Sequence, residues 1–266
     1  MTELHRFGQD IGVTNSAPPS AAAVRSAPLP RRLFAEFLGT GLLIVIVIGS
    51  GIMATQLTAD VGIQLLANST ATALGLPVLI LMFGPVSGAH FNPVVSAADW
   101  FLGRGAGAGM SARSVLAYAL AQTAGGIAGA LLANAMFGIG QQLSTKHRAT
   151  GAHLISEVLA TATLLVLIFA LARTQRAALA APAVGALIGA LYWATSSTSF
   201  ANPAVTLARA LSNNFTGIAP ISAPGFIVAQ IAGALSASLV FKWLLRCDGL
   251  SVGPGNADQH RFRIGS

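Results

Sequence analysis

Six apolar runs, each long enough to cross a bilayer, constrain this chain more than any motif it contains. A hydrocarbon layer about 30 Å thick takes roughly 20 helical residues. The runs lie at about 33–54, 62–83, 114–137, 152–172, 178–197 and 225–245. Only 9% of the 266 residues are charged and 54% are hydrophobic, whereas a soluble domain carries about 25% charged residues. A cytosolic two-layer enzyme could not cover its surface with so few charges, so that class is excluded. Lipid offers the backbone no hydrogen-bond partners, so the runs must be helical and the fold class is an all-α membrane protein.

The net charge of +7 comes from singly placed Lys and Arg. They form no basic stripe, so nucleic acid is not an expected partner. With the N-terminus taken as cytoplasmic, twelve bases share its side, among them Arg31, Arg32, Arg104, Arg113, Arg173 and Arg176. Lys146, Arg148 and Arg209 are the three on the other side. The positive-inside bias therefore puts both termini in the cytoplasm. Residues 1–30, rich in Ala, Ser and Pro, read as a disordered tail without a signal peptide. Residues 31–246 form the membrane domain, in halves of about 33–137 and 152–245, and 247–266 are a second tail. The single cysteine, Cys247, excludes a disulfide framework. No two of the five histidines have metal-ligand spacing, so neither metal nor cofactor is expected.

Two connections do not suit a plain six-helix bundle. One contains Asn92-Pro93-Val94-Val95 and an apolar run to Leu102; the other contains Asn202-Pro203-Ala204-Val205 and a run to Leu211. Asn as N-cap with Pro at the first helical position is a helix-start signal, and both runs are too short to span. Each connection is thus expected to hold a re-entrant half-helix. Further pairs match in the same order: Glu36-x-x-x-Thr40 with Glu157-x-x-x-Thr161, and Gln122-x-x-Gly125 with Gln230-x-x-Gly233. Each pair lies three spans apart, an odd number, so the halves form an inverted internal repeat with a site near the membrane midplane. Two half-helix N-termini meeting there would repel cations. Each Asn oxygen would cap its own helix, leaving the amide nitrogen as a donor in the gap.

The stretches Ser87-Gly88-Ala89-His90-Phe91-Asn92-Pro93-Val94 and Ser199-Phe200-Ala201-Asn202-Pro203-Ala204 resemble the paired Asn-Pro-Ala loops of the aquaporins, the major intrinsic proteins. The resemblance covers about residues 33–245, with Val94 in place of the usual Ala. It implies an aquaporin-like channel domain of six helices and two half-helices, one pore per subunit, assembled as a homotetramer in the lipid bilayer. It also implies that His90 lines the cytoplasmic half of the pore, a packed histidine being the alternative. Glu36 and Glu157, acids in apolar spans, are functional candidates by default. They either relay protons, as in an ion-coupled transporter, or anchor the re-entrant loop of their own half; the resemblance favours anchoring. No acid–base pair, nucleophile or metal cluster marks an enzyme.

In most aquaporins an Arg follows the second Asn-Pro-Ala, and here it is Val205. Counting back from the two Asn residues, the resemblance implies that the other constriction positions are Thr72, Ala190 and Ser199. All four are small, so a wide, uncharged ring is expected, suited to neutral solutes such as glycerol, urea or a metalloid hydroxide, with water. The Val205 loop is similar to that of bacterial aquaglyceroporins associated with arsenical resistance. A water-selective aquaporin is the other reading. Arg209, four residues beyond Val205, either faces the outer vestibule or snorkels to the interface, and snorkelling is the commoner behaviour. Its repeat counterpart is Asp99.

Overall fold

A computed structural model describes residues 27–104 and 109–244. The expected tails, with Cys247, lie outside those residues, save that the first helix, α1 (Leu29–Leu57), begins inside the stretch expected as tail. Pro30 sits in its first turn, where a missing N–H costs nothing. Next comes α2 (Val61–Ser87), capped by Asp60 Oδ1 accepting from Ile63 N at 3.0 Å. It ends at Gly88, whose φ of 92° is left-handed.

The first half-helix, α3 (Pro93–Gly103), is capped by Asn92, and α4 (Ala112–Met136) by Ser111. The second half opens with α5 (Gly151–Arg173), capped by Thr150. A 3₁₀ turn at Ala177–Leu179 leads into α6 (Ala180–Ala194). The second half-helix is α7 (Pro203–Arg209), and a 3₁₀ turn at Pro220–Ser222 runs into α8 (Ala223–Leu244). Six helices among the described residues are long and apolar enough to cross a membrane. They match the six runs read from sequence to within a few residues, and both half-helices occur where the Asn-Pro pairs placed them.

The packing repeats as the sequence does. α1 lies against α4, and its counterpart α5 lies against α8 in the same way. The halves meet through α2 and α6, while α7 also touches α4 of the other half. Glycine makes the close pairs possible. A Cβ on Gly125 would run into the Phe37 carbonyl of α1, and one on Gly233 into the Val158 carbonyl of α5. Neither obstacle is a movable side-chain end, so only glycine fits.

Candidate functional site

The two re-entrant loops place left-handed residues just ahead of each extended Asn cap. Ala89 and Phe91 have φ of 50°, and Ser199 and Ala201 have 51° and 48°. Each such non-glycine residue costs about 1–3 kcal/mol and persists only where its surroundings hold it. Two buried carboxylates do the holding. Glu36 accepts from His90 N at 3.0 Å, Phe91 N at 2.7 Å and Ser87 Oγ at 2.6 Å. Glu157 accepts from Phe200 N at 2.9 Å, Ala201 N at 2.8 Å and Ser197 Oγ at 2.6 Å. Both acids are 0% exposed.

A fourth donor completes each set. Gln122 Nε2 bonds Glu36 Oε2 at 2.7 Å and reaches Ser96 Oγ of α3. Gln230 Nε2 bonds Glu157 Oε2 at 2.7 Å and reaches Thr206 Oγ1 of α7. The sequence showed these glutamines as repeat markers only. Their job of joining acid to half-helix was missed because the partners are remote in sequence.

Asn92 Oδ1 caps α3 through Val94 N at 3.1 Å, and Asn202 Oδ1 caps α7 through Ala204 N at 2.9 Å. The amide nitrogens differ from expectation. Asn92 Nδ2 donates to Ala201 O at 2.8 Å, and Asn202 Nδ2 to Phe91 O at 2.7 Å. Each amide ties the opposite loop with one N–H, so only the second is free for the gap. Both asparagines line a cavity of about 240 Å³. Pro93, Val94, Pro203 and Ala204 shape the half-helix starts but do not line it. His90 combines both roles expected of it. It lines the cavity, its Nδ1 is 3.0 Å from Ser96 Oγ, and its ring leans on Tyr118 at 5.6 Å.

Thr72, Ser199 and Val205 line the same cavity, whereas Ala190 does not. Ala190 is exposed on the outer face of α6. The face toward the cavity carries Ala180, Val184, Ile188 and Tyr192, one residue per turn. Counting back from Asn202 assumed no gap across the loop after α6, and an error of two residues turns a helical position by about 200°. The cavity wall at this level is therefore not all small side chains: Tyr192 joins it, its hydroxyl 3.2 Å from Thr72 Oγ1.

Snorkelling of Arg209 is also corrected. The side chain is 2% exposed and lines the cavity. Its guanidinium stacks 3.4 Å above the centre of the Phe200 ring, and its Nε donates to the Thr216 carbonyl. A rigid planar cation over an aromatic face tolerates burial that a Lys would not. Asp99, the counterpart of Arg209, lines the other end of the cavity, and its Oδ2 accepts from Met110 N at 2.9 Å.

Paired half-helices joined through their Asn caps, each loop held by a buried Glu of its own half, match the Asn-Pro-Ala architecture. The comparisons agree: residues 23–200 match the family described as Major intrinsic protein. The chain belongs to the major intrinsic protein family. It is 48% identical to "Aquaglyceroporin AqpS" of Rhizobium meliloti, over 82% of this chain and 91% of that protein. It is also 32% identical to "Aquaporin NIP1-1" of Zea mays, over 83% and 78%. Among solved structures, the aquaglyceroporin from Plasmodium falciparum superposes with a TM-score of 0.60 at 20% identity, covering 82% of this chain and 95% of that one. That likeness concerns the major intrinsic protein fold, which this integral, multi-pass chain shares.

Proposed function

We propose that this major intrinsic protein is a passive channel for small neutral solutes of the glycerol, urea and metalloid hydroxide type, with water. The observation that carries the reading is the continuous cavity running past both Asn caps, lined by apolar side chains with few polar groups. Hydroxyls at Thr72, Tyr192 and Ser199 can replace part of a solute's hydration while Val205, Ile188 and Leu76 contact its carbon. The likeness to a protein named as an aquaglyceroporin supports the same class. Glu36 and Glu157, each saturated by donors of its own loop, act as loop anchors in this reading, and no catalysis is assigned to them. The assembly is a homotetramer in a bacterial inner membrane with both termini cytoplasmic.

Swelling of proteoliposomes under imposed gradients tests the reading. Glycerol and urea flux that rises linearly with gradient and ignores ion gradients is the expected result. Saturable, ion-dependent flux would make the chain a coupled transporter, and fast water flux with glycerol excluded would make it a water-selective aquaporin. Light scattering in detergent, read against the 27.0 kDa chain mass, checks for four copies.

A further inference from the structure

Three cations converge at the outer end of the cavity on one short stretch of backbone. Arg209 Nε bonds the Thr216 carbonyl, Arg148 Nε bonds the Gly217 carbonyl at 2.8 Å, and Arg148 Nη2 bonds the Phe215 carbonyl at 3.1 Å. Lys146 Nζ approaches the same Phe215 carbonyl at 3.4 Å. Both guanidiniums also address the Phe200 ring, Arg209 at 3.4 Å and Arg148 at 5.6 Å. None of the three has a carboxylate partner among the described residues. The Lys146 ammonium is held below its ordinary pKa by burial and then by the charges of Arg148 and Arg209. Like charges gathered with no carboxylate in ion-pair contact, Glu157 acting on Arg148 only from a distance, are costly to a fold and suit a site that acts on charge.

Arg209 is the deepest of the three, the one that lines the cavity, and only its Nε is engaged. Its terminal N–H groups have no hydrogen-bond partner among the described residues. Ser199 lines the same cavity, and its buried Oγ has no hydrogen-bond partner among the described residues. A fixed cation and a buried hydroxyl whose bonding capacity is unused, both on the wall of one cavity, suit a solute rich in acceptor oxygens. The placement also answers the absence of charge at Val205. A side chain starting one turn later on α7 reaches back over Phe200 and puts its cation in the cavity after all.

We propose that Arg209, backed by Arg148 and Lys146, is the cation barrier at the outer end of this pore and, with Ser199, the donor site that selects neutral, acceptor-rich solutes such as polyols and neutral oxyacids. The proposal rests on the channel reading above. It is tested in proteoliposomes by following glycerol swelling and K⁺ leak in the same preparation. The unmodified protein passes glycerol and holds K⁺. Arg209→Gln keeps a planar donor but removes the charge, and K⁺ leak rises about tenfold or more while glycerol still passes. Adding Val205→Arg to that variant restores the barrier. Arg209→Lys keeps K⁺ out but lowers the ratio of glycerol to water flux, because the stacked fork is lost.

An unmodified protein that passes no glycerol counts against the channel reading alone. A glycerol-conducting protein whose Arg209→Gln variant is as tight to K⁺ overturns the inference. If that variant does not insert, Lys146→Gln with Arg148→Gln takes its place, since neither residue lines the cavity. A several-fold rise in K⁺ leak is then expected, and no rise overturns the cation barrier.

Discussion

Glu36 and Glu157 stand in for the water that a bent backbone at membrane depth would otherwise lack. Each meets four donors, so the charged form is matched on both carboxylate oxygens. Glu157→Gln places an amide N–H against donors that need an acceptor. We expect it to cost about 1–3 kcal/mol, as a buried donor left without its acceptor does. Thermal unfolding in detergent reads this, and Glu36→Gln should match it by symmetry. A variant as stable as the unmodified protein with transport that no longer responds to pH would instead favour the proton relay. The acids were legible in the sequence because charge in an apolar run is rare. Arg209 was left there between the vestibule and the interface, with the interface favoured, because a long side chain has many rotamers and its end point depends on Phe200 and on the Thr216 carbonyl of a later loop.

At the scale of elements, the half-helices were readable because Asn-Pro fixes a helix start locally, by a cap and a preset φ. The faces of the spanning helices were not. α6 is apolar all round, so no stripe in its sequence marks which side fronts the cavity. Its rotation follows from contact with α2, where Gly185 admits the Ala73 carbonyl and the Pro77 ring. The closest helix pairs make a sharper prediction. Gly125→Leu drives a side chain into the α1 backbone at Phe37, and Gly233→Leu does the same to α5 at Val158. Each is expected to lose about 3 kcal/mol or more through overpacking. The measurement is the same unfolding assay together with the yield of inserted protein. Gly138→Ala, whose Cβ would meet nothing within 4 Å, is less suited as a control because its φ is 64°. Gly140→Ala serves instead, with open space and ordinary φ, and should leave both readouts unchanged.

For the whole molecule, the inverted repeat makes a two-sided device from one design used twice. The two halves carry the same acid, glutamine and asparagine at matching places, yet they differ seven residues after each Asn, with Asp99 in one and Arg209 in the other. The pore is thus symmetric in scaffold and asymmetric in charge. Orientation decides which charge a solute meets first. Cys247, the only cysteine in the chain, gives a direct check. A membrane-impermeant thiol reagent should label it in inside-out vesicles and leave it unlabelled in right-side-out vesicles. The reverse pattern would invert the topology read from the basic residues.

By itself the sequence determined the membrane class, the six spans, the inverted repeat, the two half-helices and their Asn caps. All of these are written in local signals: apolar length, charge rarity and the Asn-Pro pair. Only the tertiary structure decided that the asparagines tie each other's loops, that Gln122 and Gln230 complete the acid anchors, that Ile188 and Tyr192 rather than Ala190 face the cavity, and that Arg209 is buried there. Each of these depends on which residues distant in sequence become neighbours. A helix rotated by two residues, or a side chain reaching back one turn, leaves no trace in a one-dimensional pattern.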